Sequence, residues 1–233
     1  MKLARWANAE DMPVEGMCLV HDSADLPESL AGLTVVLGNG TEARASELLA
    51  RGAERVLLGD LALLDSTAVE RLVQQHGTEH IGVWVRAAKT HVSWAIDYIS
   101  NEDFNCLTPS VGGNGWDVLK NDGFSTKTDA EWWTKQMLAL GASMALISVD
   151  MQDDDLNLCA GLIEDHGDKL WFSPRHEPNA DLEPWVRWGQ VRQLVLPTPN
   201  ERDEEEMARI CAVTMVEVES PDDEPEVVEE SAV

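Results

Sequence analysis

The segment 33–60 constrains the fold of this chain more than any other stretch. An apolar run typical of a β-strand, Leu33–Leu37, ends at the turn sequence Gly38-Asn39-Gly40. An amphipathic helix pattern follows over Thr41–Arg51, and a second apolar run occupies Val56–Leu58. A strand, a glycine turn, a helix and a strand in so short a stretch are typical of parallel α/β sheets and barrels.

The glycine turn in this segment is also a candidate ligand site. A glycine turn that opens a helix can bring backbone N–H groups to a phosphate. Gly38, Asn39 and Gly40 are therefore candidate phosphate-binding residues. The alternative is a tight strand-to-helix turn, for which the glycines alone are sufficient.

Strand and helix patterns alternate along most of the chain. The predicted strands are Leu3–Trp6, Met17–His21, Thr34–Leu37, Arg55–Leu58, Ile81–Val85, Ala145–Val149, Leu170–Phe172 and Gln193–Leu196. The predicted helices are Thr41–Arg51, Asp65–His76, Asp129–Leu140, Asn157–Asp165, Ala180–Trp188 and Asn200–Ala212. This order favours an α/β fold, a (β/α)8 TIM barrel, with an open doubly wound sheet as the alternative.

Three regions depart from a regular barrel. The link between the first two strands is too short for a helix with its turns, so the first βα unit is predicted to be eroded. Residues 87–127 are too long for one loop, and their β-like runs Val92–Ile99 and Phe104–Leu107 predict an inserted β-hairpin followed by a glycine-rich loop. The barrel is expected to span 1–215, and 216–233 reads as a disordered acidic tail.

Composition limits the partners. The net charge of −26 argues against nucleic acid and anionic membrane, because both select basic surfaces. The four cysteines form no metal-binding spacing, so they are expected to be buried thiols, and no cofactor or metal is predicted. With no apolar run of membrane-spanning length, the chain is expected to be soluble and cytoplasmic.

Several phrases resemble a known family. Residues 33–86 resemble the first half of the phosphoribosylformimino-AICAR-phosphate isomerase family of histidine biosynthesis, whose members are (β/α)8 barrels with two similar halves. Gly115-Trp116 and the stretch 129–150 are similar to its fifth loop, fifth helix and sixth strand. The resemblance implies a TIM barrel of the ribulose-phosphate-binding type, a phosphoribosyl-type substrate and aldose–ketose (Amadori) isomerisation by two aspartates.

The resemblance also fails at defined positions. The family's first strand ends in a catalytic aspartate, for which Asp11 is a poor substitute, whereas Asp150 lies near the position of the second. Where the family has a glycine-rich phosphate loop and a Gly-Arg pair, this chain has 173–176 (SPRH) and 197–199 (PTP). Proline offers no N–H, so one of the two phosphate cradles is expected to be lost.

The carboxyl ends of the strands supply the candidate site residues, because chemistry in such barrels occurs at that face. They are His21, Asp22, Gly38, Asn39, Gly40, Gly59, Asp60, Arg86, Asp150, Arg175, His176 and Thr198. Asp22 and Asp150 are the predicted acid–base pair, with solvated carboxylates or helix caps as the alternative. Arg86 and Arg175, with Gly38–Gly40 and Gly59, are predicted to bind phosphate, although rim ion pairs would also account for the arginines.

The favoured function is a diverged isomerase-like barrel that binds a phosphorylated small molecule, with isomerase activity altered or lost. The alternative is a non-catalytic interaction protein that uses 87–127 or the acidic tail to bind a protein partner. A third possibility is retained isomerisation.

Overall fold

A closed barrel of eight parallel strands forms the centre of the molecule. The computed structural model describes residues 1–7, 16–90, 98–101, 104–107, 115–176, 180–197, 210 and 212. The strands in these ranges are β1 (Lys2–Trp6), β2 (Met17–His21), β3 (Leu33–Leu37), β4 (Arg55–Leu58), β5 (Ile81–Lys89), β6 (Tyr98–Asn101), β7 (Phe104–Leu107), β8 (Trp116–Leu119), β9 (Ser125–Asp129), β10 (Ala145–Ser148), β11 (Leu170–Ser173) and β12 (Gln193–Leu196). Strands β1–β5 and β10–β12 close the barrel through β5–β10 and β12–β1. The TIM-barrel prediction is therefore confirmed, and all eight predicted strands are present.

The helices in the described ranges cover the outside of the barrel. They are α1 (Glu42–Ala50), α2 (Asp60–Leu64), α3 (Thr67–His76), α4 (Ala130–Ala139), α5 (Leu156–His166) and α6 (Glu183–Arg187). Asp129 accepts a hydrogen bond from the Trp132 N–H and so caps α4, as its position before the helix predicts. Residues 22–32, between β2 and β3, contain no helix, so the barrel's second unit is reduced, whereas the predicted erosion of the first unit falls on 8–15, outside the described residues.

Two separate apolar layers hold the barrel together. Inside, side chains from alternate positions of the strands pack into one cluster: Ala4, Leu19, Val36, Leu57, Met144, Leu146, Trp171 and Val195, with Trp6, Met17 and Trp84 beside them. Outside, the intervening strand residues pack against the helices in a much larger cluster. Each fully buried aliphatic side chain stabilises the fold by about 1.5–3 kcal/mol relative to exposure.

Strand β5 extends beyond the barrel and carries a hairpin. Its first half pairs with β4 and β10, whereas 86–89 pair with β8 in antiparallel orientation, and β8 pairs with β9. This second hairpin, formed by 116–129, was not predicted from the sequence, and the predicted glycine-rich stretch 112–115 lies almost entirely outside the described residues. The hairpin turn carries Asn121-Asp122-Gly123, with Gly123 at a φ of +90° that favours glycine.

The other predicted elements lie partly or wholly outside the described residues. The predicted inserted hairpin is present as the antiparallel pair β6–β7. Residues 91–97, most of the predicted helix 200–212 and the acidic tail lie outside the described residues. None of the helices in the described ranges is both long and apolar enough to cross a membrane.

Gly59 provides a test of packing at the carboxyl end of the barrel. A Cβ at this position would lie 2.7 Å from the backbone oxygen of Gly38, so β3 and β4 could not keep their spacing. We expect Gly59→Ala to lower the free energy of unfolding in urea by about 1–3 kcal/mol.

The matched control is Gly161→Ala on α5, where a Cβ would meet nothing within 4 Å. We expect this helix substitution to raise the free energy of unfolding by up to about 1 kcal/mol. Equal effects of the two substitutions would contradict the close approach of the two strands.

Candidate active site

The mouth of the barrel, at the carboxyl ends of its strands, is formed by side chains that continue the interior layer. Because strand residues alternate in direction, the positions two residues beyond an interior residue also face inward. His21 follows Leu19, Arg86 follows Trp84, and Ser148 follows Leu146 in this way. The parallel register places Arg86 beside Ser148, and Ser148 beside Ser173.

Aromatic rings form the floor of this mouth. The rings of Trp6 and His21 are stacked with centroids 4.3 Å apart, and Trp84 meets His21 edge-on at 5.4 Å. The indole N–H of Trp84 donates to Ser148 Oγ at 2.8 Å, and Ser148 shares a 2.8 Å hydrogen bond with Ser173. Burial, and then the charge of Arg86, lower the pKa of His21, so its ring is neutral at pH 7.

Arg86 connects the mouth to the β8–β9 hairpin. Its guanidinium donates to the backbone oxygens of Lys120 and Asn121, and it lies over the Trp84 ring at 5.6 Å. These partners are uncharged. Burial and the charge of Arg175 lower the pKa of Arg86, and together they outweigh the opposite effect of Asp60 and Asp122. Two guanidinium groups thus lie near each other at the mouth of a strongly acidic protein.

Asp150 ties together the ends of β10 and β11. Its carboxylate accepts hydrogen bonds from the backbone N–H groups of Arg175 (3.0 Å) and His176 (2.8 Å), from His176 Nδ1 (2.8 Å) and from Arg175 Nε (3.4 Å). Burial acts to raise the pKa of Asp150, but the hydrogen bonds from His176 and Arg175 lower it below its ordinary value. Asp150 is therefore ionised at neutral pH, which suits an orienting anion better than a proton donor.

Asp22 makes its contacts on the outside of the barrel. Its two carboxylate oxygens accept hydrogen bonds from Arg44 of α1, at 2.7 Å from Nη2 and 3.2 Å from Nε. The structure thus brings Asp150, Arg86 and Arg175 to the mouth, while Asp22 is paired to a helix and the neighbouring His21 contacts the aromatic floor. The acid–base pairing of Asp22 with Asp150 stays a prediction.

The predicted glycine turn packs against the hairpin. A Cβ on Gly38 would lie 2.9 Å from Asn121 Oδ1 and 3.1 Å from the Trp84 ring, so a larger residue here would require these side chains to shift. Gly40 packs in the same manner on the side chain of Leu37. Asn39 lines a groove of about 1040 Å³ outside the barrel, between α2 and α4. Phosphate binding by this turn stays a prediction.

The acidic segment 153–155, which follows β10, forms ion pairs with the end of β5. Lys89 forms ion pairs with Asp154 and with the buried Asp155, and Asp155 also accepts from the Gln152 N–H. Across the ranges that the structure describes, no three histidine, cysteine, aspartate or glutamate side chains are grouped so as to hold a metal ion. Cys18 and Cys159 are free, buried thiols, as predicted.

No protein-family model matches this chain, and no curated protein matches its sequence. The barrel fold is shown by the structure itself. The likeness to the histidine-pathway isomerases therefore rests on the shared sequence phrases alone.

Two contributors to the mouth were missed from the sequence. Asn121 enters it through the β8–β9 turn, and the signal for that turn was an apolar run followed by Asn-Asp-Gly. Trp84 enters it as an interior residue of β5, two positions before Arg86. Because alternate residues of a strand face the same side, this spacing could have predicted that Trp84 and Arg86 both point inward.

The ionised Asp150 predicts a specific acid dependence of stability. Because its pKa is lower in the folded protein than the ordinary 3.8, its hydrogen bonds stabilise the fold above that pH, and this stabilisation is lost as pH falls through the folded pKa. We expect Asp150→Asn to be less stable than the parent protein at pH 7 in urea unfolding, and the difference to shrink progressively below about pH 4.

The matched control is Asp181→Asn, whose carboxylate accepts a hydrogen bond from the Glu183 N–H at the start of α6, and its difference from the parent should change less over the same range. A difference for Asp150→Asn that stays constant from pH 7 to pH 3 would contradict the role given to its charge.

Proposed function

We propose that the barrel mouth binds a small metabolite through an anionic group, best fitted by a phosphoryl group, on Arg86 and Arg175. The single observation that carries the proposal is that Arg86 and Arg175 lie at the carboxyl ends of β5 and β11, the two barrel neighbours of β10, where the charge of Arg175 helps to lower the pKa of Arg86. An anion between them would remove the repulsion between the two charges, and guanidinium groups match phosphate oxygens through paired N–H donors.

The surroundings of the two arginines support an anion over a cation. Asp150 is saturated by four donated hydrogen bonds, and its charge is offset by Arg175. Arg86 is held in place by backbone oxygens and by the Trp84 ring, so its orientation costs little conformational freedom when a ligand arrives.

The aromatic floor beneath the arginines suits the rest of such a ligand. Trp6, His21 and Trp84 offer flat apolar surfaces, and the buried hydroxyl groups of Ser148 and Ser173 lie beside them. A sugar phosphate combines an anionic end with a ring or chain bearing hydroxyls, so it fits this division. The proposed class is therefore a phosphorylated sugar or sugar-like metabolite.

Thermal unfolding with added ligand tests the proposal. Inorganic phosphate and ribose 5-phosphate should raise the unfolding midpoint, whereas ribose should not; at about 100 times Kd the stabilisation is about 2.7 kcal/mol. We expect Arg86→Gln to weaken binding about tenfold or more, since hydrogen bonds to charged groups contribute about 1.5–3 kcal/mol.

Arg187→Gln is the matched control. Arg187 is also an exposed arginine that lies over a tryptophan ring, that of Trp188, but it belongs to α6. Its response to phosphate should equal that of the parent protein. If neither phosphate compound shifts the midpoint, or if both arginine variants lose the response equally, the mouth is not the anion site.

A further inference from the structure

We infer that His176 is a proton-transfer group at the barrel mouth, with Asp150 as the residue that positions it. The substrate class for this step rests on the proposed function, whereas the arrangement of the two side chains stands by itself. The histidine lies at the end of β11, beside Arg175, and its side chain is 61% exposed while that of Asp150 is 19% exposed.

The first step of the argument is the fixed backbone of His176. Its own N–H and that of Arg175 both donate to the same Asp150 oxygen, at 2.8 and 3.0 Å. One carboxylate therefore holds the loop that carries the imidazole as well as the imidazole itself. This double attachment restricts both the position and the orientation of the ring.

The second step is the tautomer. His176 Nδ1 lies 2.8 Å from Asp150 Oδ2, and an ionised carboxylate can only accept, so the proton of the neutral ring is on Nδ1. Arg175 Nε lies 3.1 Å from the same Nδ1 and 3.4 Å from Oδ2, and it must donate to the carboxylate once Nδ1 bears hydrogen. The Nε2 lone pair is then free to accept a proton.

The third step is charge balance. When Nε2 takes a proton from a hydroxyl or an acidic C–H of a bound ligand, the ligand keeps the electron pair and the ring becomes an imidazolium. The negative charge of Asp150 stabilises that cation, and the nearby Arg86 and Arg175 stabilise the anion formed on the ligand. Return of the same proton, to the same or a neighbouring ligand atom, restores the neutral ring.

His21 is less suited to this role. Its ring is stacked on Trp6, and burial and Arg86 lower its pKa, which disfavours the protonated form. Among the described residues no carboxylate orients it. Both histidines at the mouth are exposed, but among the described residues only His176 has an orienting anion.

The tautomer can be measured directly by nitrogen NMR of the imidazole rings in the unmodified full chain. We expect His176 at pH 8 to be protonated on Nδ1 and unprotonated on Nε2. His80 is the matched control, because its Nδ1 lies 2.7 Å from the Glu54 backbone oxygen, away from the mouth. Asp150→Asn should shift His176 toward the Nε2–H form and leave His80 unchanged.

Acylation by diethyl pyrocarbonate, followed by mass spectrometry, tests whether Nε2 faces the anion site. Inorganic phosphate at about ten times its Kd should slow the modification of His176 about tenfold and leave His80 unaffected. Finding His176 protonated on Nε2, or equally reactive with phosphate bound, would overturn the inference. A phosphate-independent midpoint together with the Nδ1–H form would instead refute the anion site and support the Asp150–His176 pair.

Discussion

The geometry of the mouth depends on how strand β5 divides its hydrogen bonds among three partners, since over 81–83 it also pairs in parallel with β4. Up to Arg86 it pairs in parallel with β10 and closes the barrel, and from Arg86 onward it pairs in antiparallel orientation with β8. Arg86 stands at the junction of the two ladders. The hairpin turn is thereby brought over the end of β3, where Asn121 reaches both Gly38 and the arginine. The same strand therefore closes the barrel and positions the residues of the candidate site.

Charged side chains surround this junction at the end of β5. The chain has a net charge of −26, yet its barrel mouth keeps Arg86 close to Arg175, with one carboxylate, that of Asp150, hydrogen-bonded between the ends of β10 and β11. Asp22 and Glu42 face other arginines on the outer helices. These ion pairs lie away from the arginines of the mouth, whereas Asp60, Asp122 and Asp150 are the carboxylates near them.

The sequence predicted the barrel well because its signals are local. Each barrel strand is a short apolar run, and the runs alternate with helix patterns, so the start of each of the eight strands could be located to within one residue, although β5 continues four residues beyond its predicted end. The sequence does not show in the same way which side chains of each strand face the barrel interior. Both faces of a barrel strand are apolar, so the pattern around Leu19 does not say whether His21 or Asp22 points inward. The choice is made by the pairing of the whole barrel, which puts His21 inside and turns Asp22 to Arg44.

The arrangement at β5 also distinguishes the strand pairings that close the barrel from the connecting segment, whose length can vary. Strands β5 and β10 must meet, but the chain that joins them leaves the barrel through β8 and β9 before it returns in α4. The entropic cost of closing a loop rises only with the logarithm of its length, about 0.6 kcal/mol for each doubling. Extra residues between Lys89 and Trp116 thus add little to the cost of closing the barrel, and this connection is where related chains can diverge in length while the eight-stranded frame is retained.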